Sequence, residues 1–222
     1  MSSQEIVNYE AQLAAEAARI RETLNAPKSM KILTKGKMFT LPDGTSNPGP
    51  LTCVILDYIT INQYYEGVYD PAKPVPPVCW AINKVIAELV PSTRAPKPQH
   101  ADCETCPKNE WGSHGRGKAC KNTRRLIVCA ADATSDSPVM TLEVSPTGLN
   151  AFDNYVSEIQ RVFNTMPIRV TTQISFDPNK TYPTLLFDKP TLHDNLATMM
   201  ALREKGQILL HREPEPLTDK DK

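Results

Sequence analysis

Two periods of hydrophobic residues alternate along this chain and mark out its elements. Residues 52–65 read TCVILDYITINQYY, where Val54, Leu56 and Tyr58 interleave with Ile55, Asp57 and Ile59, and β-branched and aromatic side chains dominate. A two-residue period in that composition predicts a strand, the best in the sequence. RLIVCAA at 125–131 and VMTLEV at 139–144 predict two more, joined across Ser135, Asp136, Ser137 and Pro138 as a hairpin. Strands are also expected on either side of the Pro42-Asp43-Gly44 turn, at 168–176 and at 183–187. The period changes to 3.6 after Ser145-Pro146-Thr147, where Phe152, Tyr155, Val156, Ile159 and Phe163 fall on one helical face. A second helix is expected over 192–205, and an amphipathic N-terminal one over 4–24, where Leu13, Ala17, Ile20 and Leu24 recur before Asn25 to Pro27 end it.

This order lacks the regular strand-helix alternation of a doubly wound fold. It predicts a mainly β, α+β protein: an oligonucleotide-binding (OB)-like small barrel, with the helix near 149–163 in the place between the third and fourth strands, or else a curved antiparallel sheet with peripheral helices. The expected divisions are an N-terminal helix at 1–27, one domain at 28–210 with a loop insertion at 79–121, and a disordered tail at 211–222. The 20 prolines against 9 glycines suit short strands and ordered loops, and DPAKPVPP at 70–77 is expected to be an extended loop, since proline lacks the ladder's N–H donor.

Charge changes the picture locally. The whole chain balances 25 basic against 25 acidic residues, so no long-range field draws it to nucleic acid or to a membrane. No stretch reaches the apolar length of a membrane span and no secretory pattern opens the chain, so a cytoplasmic protein that does not engage a membrane is expected. Six cysteines in a reducing compartment read as metal ligands or reactive thiols before they read as disulfides.

Cys103-Glu-Thr-Cys106 is a C-x2-C pair, with thirteen residues separating Cys106 from Cys120 and twenty-three separating Cys79 from Cys103. Two thiolates of such a turn converge on one tetrahedral ion, and two more close the shell, so Cys79, Cys103, Cys106 and Cys120 are the expected ligands of one structural zinc. His100 or His114 in place of Cys79 is the main rival set. A redox C-x2-C would open a helix, whereas this one lies among Pro96, Pro98 and Pro107; unliganded surface cysteines are the bland alternative. Cys53 and Cys129, inside expected strands, read as buried small hydrophobes.

Between Cys106 and Cys120 lies PKNEWGSHGRGKA, which has no apolar core of its own and needs another organiser, for which metal is the expected one. Residues 94–125 carry eight basic side chains against three acidic ones in an otherwise neutral chain. Cations and a flat indole together suit single-stranded nucleic acid, which makes Trp111, Arg116, Lys118, Lys121, Arg124 and Arg125 candidate contacts, with Tyr58, Tyr64 and Tyr65 of the best strand as further stacking platforms. Each aromatic also has a plain reading as core, and the cations as offset to the thiolate charge.

The runs PPVCWA and CETCPKNEWGSHGRGKACKNTRRL, followed by a strand, resemble phage-encoded zinc-containing proteins associated with replication or single-stranded DNA binding; the resemblance covers roughly residues 64–187. It implies the four cysteines as ligands, Lys118 and Arg125 as motif members, and DNA replication or recombination in a host cytoplasm as the setting. The mixed-sign tail EPEPLTDKDK departs from the acidic tails common among single-stranded DNA-binding proteins. The four histidines fall in no catalytic motif, GRGKAC is no phosphate loop, and a closed four-thiolate zinc has no open position, so a non-enzyme is expected. Rival classes are a zinc-stabilised protein-interaction module and a metal-dependent nuclease. Self-association into a homo-oligomer is left open.

Overall fold

The computed structural model describes residues 30–67 and 75–215. The expected N-terminal helix, Tyr69 and the last seven positions of the expected tail lie outside them. The elements are β1 (Phe39–Thr40), β2 (Ser46–Asn47), β3 (Leu51–Tyr64), β4 (Cys79–Asn83), β5 (Cys120–Ala130), β6 (Met140–Val144), α1 (Leu149–Phe163), β7 (Val170–Phe176), β8 (Leu185–Leu192) and α2 (Leu196–Leu210).

The long β3 is the axis of a six-stranded antiparallel sheet. Along one side it pairs with β5 over nearly its whole length, from Cys53 opposite Ala130 to Tyr64 opposite Cys120. Along the other side its first residues pair with β7 and its last five with β4. The outer strands β6 and β8 pair inward with β5 and β7, and among the described residues the outer edge of β6 meets only an isolated parallel bridge, Lys31 with Thr141. The sheet is therefore open: no closed barrel forms among the described residues, and the antiparallel sheet with helices outside it is the architecture present. The helix expected to sit as in an OB barrel instead lies across one face of this sheet.

Strand alternation sends successive side chains to opposite faces, and each face buries a helix. Cys53, Ile55, Leu126 and Val128 meet Phe152, Tyr155, Val156 and Ile159 of α1. Val54, Leu56, Ile127 and Cys129 meet Met199, Leu202 and Leu210 of α2. Both strand cysteines are thus core residues, as expected from sequence. A bulge where the β3–β5 register shifts between Ile55 and Asp57 inverts the parity of β3. Beyond it Ile59 and Ile61 join the α2 side, while Tyr58 turns to the α1 side and meets the edge of Phe152 at 4.9 Å. The bulge therefore decides what the far end of β3 presents on each face.

Two expected elements are displaced. Residues 183–187 were read as a short strand and 192–205 as a helix; β8 runs on to Leu192, through Pro190, and α2 starts at Leu196. An edge strand tolerates proline because its outward N–H has no partner to lose. The expected strand near 30–41 is reduced to β1 and two backbone bridges, at Lys31 and Leu33.

Candidate four-cysteine corner and basic loop

The far end of β3 builds the site. Tyr64 faces Cys79 of β4 on one side and Cys120 of β5 on the other, so two cysteines distant in sequence flank one residue at one register level. Segment 92–103 seals the outer edge of β4: Ser92 donates its N–H to the Trp80 carbonyl and Lys97 to that of Val78, while Cys103 N–H reaches the Leu89 carbonyl at 3.0 Å. That brings the C-x2-C turn over the sheet end. Cys79, Cys103, Cys106 and Cys120 are all buried and line one cavity together with Asn62, Tyr64 and His100. No carboxylate-rich lining competes with them; Asp102 is the one acidic side chain there.

The electrostatics of this corner are strained without a counter-ion. Burial, with a smaller contribution from the neighbouring thiols, pushes the Cys103 thiol up to about 11 and the Cys120 thiol up to about 12. Burial and Cys106 likewise raise Cys79. Smaller influences pull the other way: the Gln99 backbone lowers Cys79, the Gln63 backbone lowers Cys120, and the Asn62 amide lowers Cys103. Four buried thiols in one cavity, three of them raised by their neighbours as by anions, are a donor set that fits a tetrathiolate ion site, since a divalent cation would reverse the sign of their mutual interaction. As the side chains stand, no group of three or more His, Cys, Asp or Glu among the described residues is drawn together tightly enough to hold an ion. His100 contacts Thr105 at 3.3 Å and Asp102 at 3.6 Å, and His114 is exposed on the loop.

The loop beyond Cys106 is organised by its own hydrogen bonds. Gly112 N–H and His114 N–H both reach the Gly117 carbonyl, and Gly117 N–H returns to that of His114. The Ser113 hydroxyl lies 2.6 Å from the Glu110 carbonyl oxygen and accepts the Ala119 N–H at 2.9 Å. Gly112 and Gly115 take φ of 90° and 60°, which side-chain-bearing residues seldom adopt, so the tight tip depends on them. These bonds give the loop an internal organiser, where the sequence alone points to metal.

Candidate nucleic-acid contacts separate into two groups. Trp111 is 79% exposed, with the Lys118 ammonium 5.8 Å from its ring; Arg116 is exposed at the tip, and Lys121 stands 5.1 Å over Tyr65. Lys108, not singled out from sequence, stands 5.2 Å over Tyr64. Lys108, Arg116 and Lys118 make no ion pair among the described residues. Tyr64 and Tyr65 open to different sides, one lining the cysteine cavity and the other a cavity of about 440 Å³ beside Arg125 and Leu209. The second group is occupied elsewhere. Arg124 is buried against Asp153 of α1 at 3.3 Å; Arg125 donates to the Leu210 and Arg212 carbonyls at the end of α2; Tyr58 lies against Phe152. These three are committed to holding the helices on the sheet.

Sequence reasoning passed over three asparagines here. Asn122 donates to Asn62 Oδ1 at 2.7 Å and to Asn109 Oδ1 at 2.9 Å, and Asn109 donates to the Cys103 carbonyl at 2.7 Å. The available signal was compositional, since asparagine is depleted in strands and two of the three stand in them. Comparison with protein-family models, curated proteins and solved structures found no match for this chain.

Proposed function

We propose that this protein binds single-stranded DNA through the basic loop at its four-cysteine corner, with one structural zinc ion taken by Cys79, Cys103, Cys106 and Cys120. The observation that carries the DNA reading is Trp111: an indole, normally among the better-buried side chains, stands 79% exposed beside Lys118, and neither Lys118 nor Arg116 makes an ion pair among the described residues. A stacking platform beside unneutralised charge is what a strand of exposed bases and phosphates recognises, and a duplex, whose bases are stacked inside, cannot use the platform. The working contacts are then Trp111, Arg116, Lys118 and Lys121, with Lys108 added and Tyr64 or Tyr65 flanking.

The zinc reading rests on the four buried cysteines that line one cavity, where Asp102 is the only carboxylate. A bound ion would draw the thiols inward from their present positions and would supply structural charge compensation alone. A role in phage replication or recombination in a host cytoplasm follows from the motif resemblance, and from nothing in the geometry.

A second reading is favoured by one surface feature: Ile86, Val90 and Ile208 are exposed apolar side chains. They suit a protein partner, with the metal serving folding only. Titration of labelled oligo-dT and of a duplex across ionic strengths separates the two. The DNA reading expects binding to the single strand in preference to the duplex, falling with salt at a log-log slope of about 0.7 per phosphate contacted. Absence of any binding at low salt refutes it and leaves the protein-partner reading standing.

A further inference from the structure

We infer that Asn62, Asn122 and Asn109 form an amide relay that fixes Cys103 for its ion and ties the basic loop to the metal corner. The inference rests on the zinc reading above and concerns residues outside the ligand set. Asn62 is 4% exposed, in the last third of β3, and lines the same cavity as Cys103. Its oxygen accepts from Asn122, directly across the strand pair at the same register. Asn122 also donates to Asn109, whose own N–H returns to the Cys103 carbonyl. Cys103 is therefore tied at its backbone to one end of a chain of amides whose other end, Asn62, stands in the same cavity.

From the same Asn109 oxygen the chain extends to the Lys118 ammonium at 3.3 Å, on the strand that leaves the loop tip. Thus Asn109 lies between the backbone of a corner cysteine and a cation of the loop. Asn122 donates to both of its neighbours, and Asn109 accepts from Asn122 and Lys118 while donating to Cys103, so Asn109 is the junction of the chain and needs both ends of its carboxamide. Groups that hold a metal-ligating residue orient it for the ion, so the three asparagines are positioning residues for the proposed metal site.

The test measures zinc release from the loaded, full-length chain to a chromogenic chelator, alongside thermal melting. Asn62→Asp keeps the size but puts a carboxylate into the cysteine cavity; Asn62→Ala leaves Asn122 without one of its two acceptors. Release about 10-fold faster than wild type is expected for each. Asn122→Ala, at a partly exposed position, is expected to give a smaller rise in the same direction, and it decides the matter should the Asn62 variants not fold. Thr172→Val removes a buried hydroxyl bonded to Tyr155 beneath α1, and is expected to lower the melting temperature with release unchanged. On the loop side, Asn109→Ala is expected to speed tryptic cleavage after Arg116 or Lys118 in the zinc-loaded protein. Release at the wild-type rate in the asparagine variants, or release that rises equally in Thr172→Val as its melting temperature falls, overturns the relay while leaving the zinc site intact. A wild-type chain that takes up no zinc overturns both.

Discussion

At Asp57 a carboxylate sits buried at the bulge of β3, where Lys84 meets it at 2.6 Å and Arg203 of α2 grips it through two nitrogens at 2.9 and 2.8 Å. Burial, the largest single influence, raises its pKa, but the hydrogen bonds from Lys84, Arg203 and the Tyr58 N–H outweigh it, and the carboxyl stays below its ordinary value. A carboxyl depressed in the folded state stabilises the fold above its unfolded pKa of about 4, and that stability is lost as pH falls through the lower folded value. Denaturant melts between pH 6 and pH 2 should therefore show an acid loss of stability that is smaller in Asp57→Asn. At neutral pH that variant should cost about 2 kcal/mol, less than for a fully buried pair because both cations are partly exposed. Trp111 has the opposite character. Trp111→Ala should leave the melting temperature within a degree or so of wild type and weaken oligo-dT binding by about 1–3 kcal/mol, read by fluorescence anisotropy. At this scale the cysteine spacing spoke plainly in the sequence, since C-x2-C constrains its neighbours whatever the fold. The commitment of Arg124 and Arg125 did not: a basic residue looks the same in sequence whether it faces solvent or caps a helix 85 positions away.

Between elements, close approach of α2 to the sheet depends on Gly206. A Cβ there would stand 2.8 Å from Ile127 Cδ1 and 2.9 Å from Val139 Cγ1. Alanine ordinarily strengthens a helix interior by about 1 kcal/mol over glycine. Here the overlap should reverse the sign, with Gly206→Ala destabilising by about 1–3 kcal/mol in urea melts. Arg125 anchors the C-terminal end of the same helix through the Leu210 and Arg212 carbonyls. Its replacement by alanine should cost about 1–2 kcal/mol, because helix-end carbonyls lose a charged donor. Elements with one clean period were legible: α1 occupies the positions its apolar spacing predicts, and β3 nearly so. The first half of β5, CKNTRR, was not, because its side chains bond other polar groups in place of filling a core, and alternation of hydrophobicity vanishes where a strand leaves the core. The bulge in β3 was equally invisible, although it sets the face on which Asn62 and Tyr64 meet the cysteines.

Over the whole molecule, β3 is one strand with two tasks. Its first half binds two helices through two apolar layers; its second half, beyond the bulge, carries Asn62 and Tyr64 among Cys79, Cys103 and Cys120, and β4 and β5 hold the thiols on either side. Segments 79–83, 92–106 and 120–122 meet there with little apolar area, the local cluster being only Ala81, Leu89 and Cys103. So small a cluster offsets little of the entropy of three chain segments, and the proposed ion, were it bound by the four thiolates, would contribute what the core lacks. Topology was the least legible level: an open sheet with one helix on each face and a barrel with outer helices use similar elements, and the choice lies in the pairing of β3 with β7, 117 or more positions apart (Val54 to Thr171). Among the described residues no helix is long and apolar enough to cross a membrane. The most direct measurement is native mass spectrometry of the purified chain with and without chelator, set beside the double variant Cys103→Ser/Cys106→Ser. One zinc per chain, lost in the variant and accompanied by a lower melting temperature on chelation, is the predicted result. A wild-type chain free of metal, whose melting a chelator does not alter, would contradict the account.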